Sequence, residues 1–186
     1  MIIETNSASE TLALGEKLGK AAKPGQIYTL NGDLGVGKTV LTQGFAKGLG
    51  ITEAVNSPTF TIIQEYTEGR LPFYHFDVYR IGDIEEMEEI GYDDYFFGEG
   101  VCLIEWAELI EELIPEGAIS ITIEKDLEKG FDYRKITVEI KEKILNVVGK
   151  NKRKYVKIPV SGRLTKMSCT GRNIRKRKTK NYRKYL

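Results

Sequence analysis

Gly32-Asp33-Leu34-Gly35-Val36-Gly37-Lys38-Thr39 matches the phosphate-loop pattern G-x-x-x-x-G-K-[ST] at every fixed position. No other stretch constrains the fold as tightly, because the pattern works only between a buried strand and a helix. Both flanks are present: Gln26-Ile27-Tyr28-Thr29-Leu30 is a short β-rich run, and a helical stretch from Lys38 to Leu49 closes at Gly50. Glycines let the backbone turn with its N–H groups pointing inward, a nest for phosphate oxygens. The helix that starts here adds unpaired N–H groups and the positive end of its dipole. The Lys38 ammonium is expected at the β- and γ-phosphates and the Thr39 hydroxyl on Mg²⁺. The alternative is a Gly-rich strand-to-helix turn that binds nothing, and the full match in the right context speaks against it.

The rest of the chain reads as alternating helices and strands. Ser7-Ala8-Ser9-Glu10 has the form of a capping box, and Leu12, Leu14, Leu18 and Ala21 carry a helix toward Pro24-Gly25. Residues 59–66 and 71–79 are β-type runs on either side of Glu68-Gly69-Arg70, which predicts a hairpin. An acidic helix is expected over 83–90, ending at Gly91, and an apolar strand over 101–104 that runs into Glu105. A short helix over 107–114 stops at Pro115, and residues 118–124 and 134–140 read as a last pair of strands. This alternation predicts an α/β domain with no internal repeat.

A phosphate loop needs an acid near its metal. Glu105 closes an apolar strand, the layout of a Walker-B carboxylate beside the phosphate site. Asp77, in His75-Phe76-Asp77-Val78-Tyr79-Arg80, is a second candidate, although a strand acid can equally face water. Ser57-Pro58-Thr59-Phe60 stands where phosphate-loop proteins carry a segment that responds to the γ-phosphate, and it is also an ordinary way to begin a strand. Trp106, taken alone, reads as a core or rim aromatic. The lone histidine, His75, reads as packed or paired, and Cys102 as an inert core thiol.

Composition sets the class. Apolar residues make up 41% and charged residues 30%, a globular balance. No apolar run approaches the roughly 18 residues of a membrane helix, and the start has neither a basic nor an apolar leader segment. Two cysteines give no disulfide framework and no metal spacing, so a cytoplasmic location with no membrane partner is expected. The net charge of +1 hides an asymmetry. Residues 1–149 carry 13 Lys and Arg against all 27 Asp and Glu, a formal −14; residues 150–186 carry 15 Lys and Arg and no acid, +15. The reading is therefore a folded domain over 1–149 and a basic extension over 150–186, disordered in isolation. Its cations, interleaved with Tyr155, Tyr182 and Tyr185, suit an RNA backbone, and a solvated extension that contacts nothing is the plainer alternative.

The phosphate loop, Ser57-Pro58-Thr59-Phe60-Thr61, His75-Phe76-Asp77-Val78-Tyr79-Arg80 and Cys102-Leu103-Ile104-Glu105-Trp106 occur in the order and spacing of the TsaE (YjeE) family. The chain resembles these small bacterial ATPases of tRNA threonylcarbamoyladenosine synthesis over about residues 5–140. The resemblance implies a P-loop NTPase-type three-layer α/β domain with a mixed parallel and antiparallel sheet, and ATP with Mg²⁺ as ligands. It assigns Lys38 and the loop residues Gly32, Asp33, Leu34, Gly35, Val36 and Gly37 to the phosphates, and Thr39 and Glu105 to the metal. Asp77 becomes a catalytic or water-positioning carboxylate, Thr59 part of a switch segment, and Trp106 a neighbour of the nucleotide. Thr11 and Arg134 are weaker candidates at the base or rim. The implied partner is a TsaB–TsaD-type complex, with ATP turnover resetting that assembly. Val40 stands where the family more often has a second hydroxyl residue, and the basic extension is not a family feature.

Two other functions compete. A small-molecule kinase needs several arginines for two sets of phosphates, and residues 1–149 hold only Arg70, Arg80 and Arg134. A non-catalytic RNA-binding or assembly protein would keep ATP as a structural ligand only.

Overall fold

The computed structural model describes residues 1–140; the expected basic extension at 150–186 lies outside the described residues. Seven strands form one sheet: β1 (Ile2–Thr5), β2 (Ile27–Asn31), β3 (Ile63–Tyr66), β4 (Phe73–Asp77), β5 (Val101–Glu105), β6 (Ile119–Lys125) and β7 (Arg134–Ile140). Their order across the sheet is β1-β7-β6-β2-β5-β4-β3. The middle pairs, β6–β2, β2–β5 and β5–β4, are parallel, and β1–β7, β7–β6 and β4–β3 are antiparallel. The buried centre therefore has apolar strands such as β5, buried along its whole length, while outer strands such as β3 and β7 leave most of their residues partly or fully exposed.

Alternation along the strands splits the core in two. Tyr28, Leu30, Phe73, Leu103 and Ile121 face one layer, built from α1 (Ala8–Ala21) and α2 (Lys38–Leu49). Ile27, Phe76, Cys102 and Ile104 face the other, which holds α3 (Glu85–Glu89), α4 (Tyr92–Phe96) and a 3-10 helix over Ala107–Leu113. Half of the capping box forms as expected: Ser7 Oγ accepts from Glu10 N at 3.2 Å, while the Glu10 carboxylate accepts from Asn6 N at 2.8 Å, one residue before the cap. Helices α1 and α2 touch through Gly15, Gly19, Gly44 and Gly48, where any Cβ would press into the backbone of the facing helix.

Two expectations are corrected, and two elements were not foreseen. Residues 59–62 form a turn rather than the start of β3, because Thr61 N and Ile62 N both bond back to the Pro58 carbonyl. Gly91 does end α3, but its left-handed backbone also opens α4, which has no apolar periodicity long enough to read. The helix after Trp106 is 3-10 and kinks at Ile110. Strand β1 was not foreseen; it forms because β7, whose residues are distant in sequence, offers it an antiparallel edge.

Candidate nucleotide site

Strands β2, β4 and β5 are parallel, so their C-terminal ends lie together, the place where open α/β sheets bind ligands. The phosphate loop leaves the end of β2, Asp77 ends β4 and Glu105 ends β5. In the loop, Gly35 and Gly37 take φ of 72° and 106°, and a Cβ on Gly32 would strike the Ile123 carbonyl. Only glycine meets those demands without strain. The loop delivers α2 with Lys38 and Thr39 as its first two residues.

A cavity of about 360 Å³ opens here. Leu34, Gly35, Gly37, Lys38, Thr39, Thr59, Asp77, Glu105 and Trp106 all line it, as do Val40, Ser57 and Tyr79. Lys38 is almost wholly buried, and its Nζ donates to the Gly32 and Asp33 carbonyls at 2.7 and 3.1 Å. The same ammonium stands 3.9 Å from the centroid of the Trp106 ring. Burial pushes the Lys38 pKa below its ordinary value, opposed by the charges of Glu105, Asp77, Glu108 and Asp33. None of these carboxylates forms a direct ion pair with the ammonium among the described residues, and a phosphate would supply that partner.

Asp77 is buried and organises the segment before β3. Its Oδ2 accepts from Ser57 Oγ at 2.6 Å and from Thr59 Oγ1 at 2.7 Å, and its Oδ1 accepts from Tyr79 N at 3.1 Å. Glu105 is equally buried, with Oε1 3.0 Å from His75 Nε2. Trp106 then turns left-handed at φ 62° and packs on Tyr79 with centroids 5.1 Å apart. A left-handed non-glycine residue is uncommon and marks a constrained turn. Ile62, with φ 65°, is a second one, and its carbonyl accepts from Asp77 N.

The donor set fits Mg²⁺. The Thr39 hydroxyl and the two carboxylates are hard oxygens around one cavity, and the described residues hold no cluster of three or more His, Cys, Asp or Glu that would cage a metal without help. Mg²⁺ is held this way in phosphate sites, by one or two protein oxygens with the remainder from phosphates and water.

Thr11 and Arg134 sit apart from this cavity. With Val36 and Gly37 they line a neighbouring cleft of about 60 Å³. Thr11 Oγ1 lies 2.8 Å from Thr5 Oγ1, tying α1 to β1. Arg134 gives its guanidinium to the carbonyls of Val36, Phe131 and Tyr133 at 2.6, 2.8 and 2.7 Å, so it braces the phosphate loop from β7. Val40 and Tyr79 were not among the expected site residues, and Ser57 was expected only as part of the segment around Thr59. For Tyr79 the available signal was its place two residues after Asp77, and for Ser57 its place beside Thr59.

Residues 5–136 match the family model described as threonylcarbamoyl adenosine biosynthesis protein TsaE. The chain belongs to the TsaE family. It is 55% identical over 133 residues to the tRNA threonylcarbamoyladenosine biosynthesis protein TsaE of Bacillus subtilis (strain 168), covering 72% of this chain and 81% of the relative. The protein of the same name from Treponema pallidum (strain Nichols) is 40% identical over 119 residues, 64% of this chain and 87% of the relative. The crystal structure of Bacillus subtilis YdiB superposes with a TM-score of 0.64 at 48% identity, covering 74% of this chain and 83% of that one. The mixed α/β sheet expected of a TsaE chain is thus the one found, and the matched span contains every site residue discussed above.

Proposed function

We propose that this chain binds ATP with Mg²⁺ and hydrolyses it slowly to ADP and phosphate, as an accessory of tRNA threonylcarbamoyladenosine biosynthesis that acts with a TsaB–TsaD-type complex in the cytoplasm. The observation that carries the reading is the meeting of Lys38, Thr39, Asp77 and Glu105 around one cavity at the end of the parallel strands. The names of the relatives support the pathway.

The loop N–H groups and the first turn of α2 would hold the phosphate oxygens, and Lys38 would exchange its two carbonyls for the β- and γ-phosphates. Thr39 and Glu105 would hold Mg²⁺, which when bound neutralises charge on the β- and γ-oxygens. In hydrolysis a water oxygen attacks the γ-phosphorus and the bond to the β–γ bridging oxygen breaks. Asp77, through its own carboxylate or through Thr59, would orient that water. Trp106 and Tyr79 would exclude bulk solvent from one side.

The test is ATP hydrolysis by the purified chain, alone and then with TsaB, TsaD and tRNA from the same source. Turnover that rises with the partners and is lost in Lys38→Ala, together with tight ATP binding by calorimetry, supports the reading. Unchanged ATP affinity in Lys38→Ala overturns it. ATP binding without turnover in either setting would favour the assembly-protein alternative, and phosphate transfer to a metabolite the kinase.

A further inference from the structure

We infer that His75 is a positioning residue for Glu105: its Nε2 donates to Oε1 and fixes the carboxylate that faces the nucleotide cavity. The inference rests on the ATP and Mg²⁺ reading and adds to it a residue on β4.

The backbone of Glu105 is held from both sides. It pairs with Leu30 of β2 and with Asp77 of β4, and its carbonyl accepts from Val78 N. Its side chain still has three torsions to settle. Among the described residues, His75 supplies the hydrogen bond that settles them, at 3.0 Å. His75 lies two residues before Asp77 on the same strand, so both point to the α1–α2 side of the sheet, where Glu105 also points from β5.

The placement has a cost that a space-filling residue would avoid. The His75 ring is fully buried, lies nearly parallel to the Phe73 ring with centroids 6.1 Å apart, and leaves Nδ1 without a hydrogen-bond partner among the described residues. A leucine or phenylalanine would fill the same space with no orphaned nitrogen. What the imidazole adds is one donor aimed at Glu105. Carboxylates that serve metals are oriented in this way by a second layer of hydrogen bonds, and losing such a partner weakens metal binding by about 10–100-fold.

The full-length chain offers its own probe, since Trp106 follows Glu105 and is the only tryptophan. Its emission is recorded while Mg²⁺ is titrated into protein with AMP-PNP, a non-hydrolysable ATP analogue. His75→Gln keeps a donor that reaches Glu105, His75→Asn is too short to reach it, and His75→Leu has none. Thermal melts establish that each variant folds. The expected result is about a tenfold rise in the Mg²⁺ concentration at half-change for Asn and Leu. Gln stays within about threefold of the parent, whereas turnover of the Asn and Leu variants falls in kcat with KM nearly unmoved. Equal behaviour of Gln and Asn, whether both intact or both impaired, overturns the inference, and that comparison decides even where Leu does not fold. Absence of any nucleotide response in the parent chain would instead overturn the ATP reading beneath it.

Discussion

Asp77 gives both of its oxygens to the protein, Oδ2 to two hydroxyls and Oδ1 to a backbone N–H. A carboxylate so occupied acts first by ordering what it holds, here Ser57 and Thr59. Asp77→Ala removes three bonds and leaves Lys38, Thr39 and the loop in place, so ATP affinity by calorimetry is expected within about threefold of the parent. Turnover, read as phosphate release, should fall by about 10²-fold or more. Retained turnover would remove Asp77 from the mechanism. Cys102 is the opposite case, a reactive group type with no reaction to perform. It is buried in β5, its Sγ–H donates to the Tyr95 carbonyl at 3.3 Å, and burial pushes its pKa up to about 12. At about pH 8 that leaves about one thiolate in ten thousand, and the thiolate is the nucleophile. Alkylation of Cys102 in the native chain, followed by peptide mass, should therefore be at least about 100-fold slower than in concentrated guanidinium. Fast native labelling would mean that β5 opens readily.

At the scale of elements, the pairing of α1 with α2 makes the sharpest claim. In an isolated helix, replacing glycine by alanine stabilises by about 1 kcal/mol. At Gly44 the new Cβ would meet the Leu12 carbonyl, and at Gly15 the Leu41 carbonyl, both rigid backbone. Gly44→Ala should therefore lower stability by about 1–3 kcal/mol in a urea melt, propensity notwithstanding. A stabilised variant would show that the helices are not in contact there. Because α2 carries Lys38 at its first turn, the same variant tests whether this contact holds the loop in place. The elements also show what could be read in advance. Helix α2 and strand β5 were legible because each carries its own signal, a phosphate-loop start and a glycine stop for one, an unbroken apolar run for the other. Strand β1 was not, since four residues alone cannot hold a strand and its partner β7 lies far along the chain. The turn at 59–62 was misread because β-branched residues there serve the Pro58 carbonyl rather than a ladder. The site divides in the same way. Lys38, Thr39 and Glu105 follow from local pattern, whereas the bond from His75 to Glu105 depends on the register of β4 against β5, which no local pattern records.

Across the whole molecule the charge is polarised. The residues through 149 carry a formal −14, so an RNA backbone would be repelled by most of the domain, while residues 150–186 carry +15 with three interleaved tyrosines. An approach to tRNA through that extension would make the affinity depend on salt. Each phosphate neutralised on a single strand contributes a slope of about −0.7 in log K against log salt. Removing 150–186 should therefore weaken tRNA binding at low salt and flatten the slope by several such units, as read by filter binding across a salt series. ATP turnover by the shortened chain should be unchanged, because the described residues lining the nucleotide cavity lie between Leu34 and Trp106. An affinity and slope identical to those of the full chain would show that the extension makes no RNA contact, and would assign the binding to residues 1–149. Loss of both tRNA binding and ATP turnover would tie the extension to the domain itself. The opposite charges of the two parts would then act on each other rather than on a nucleic acid.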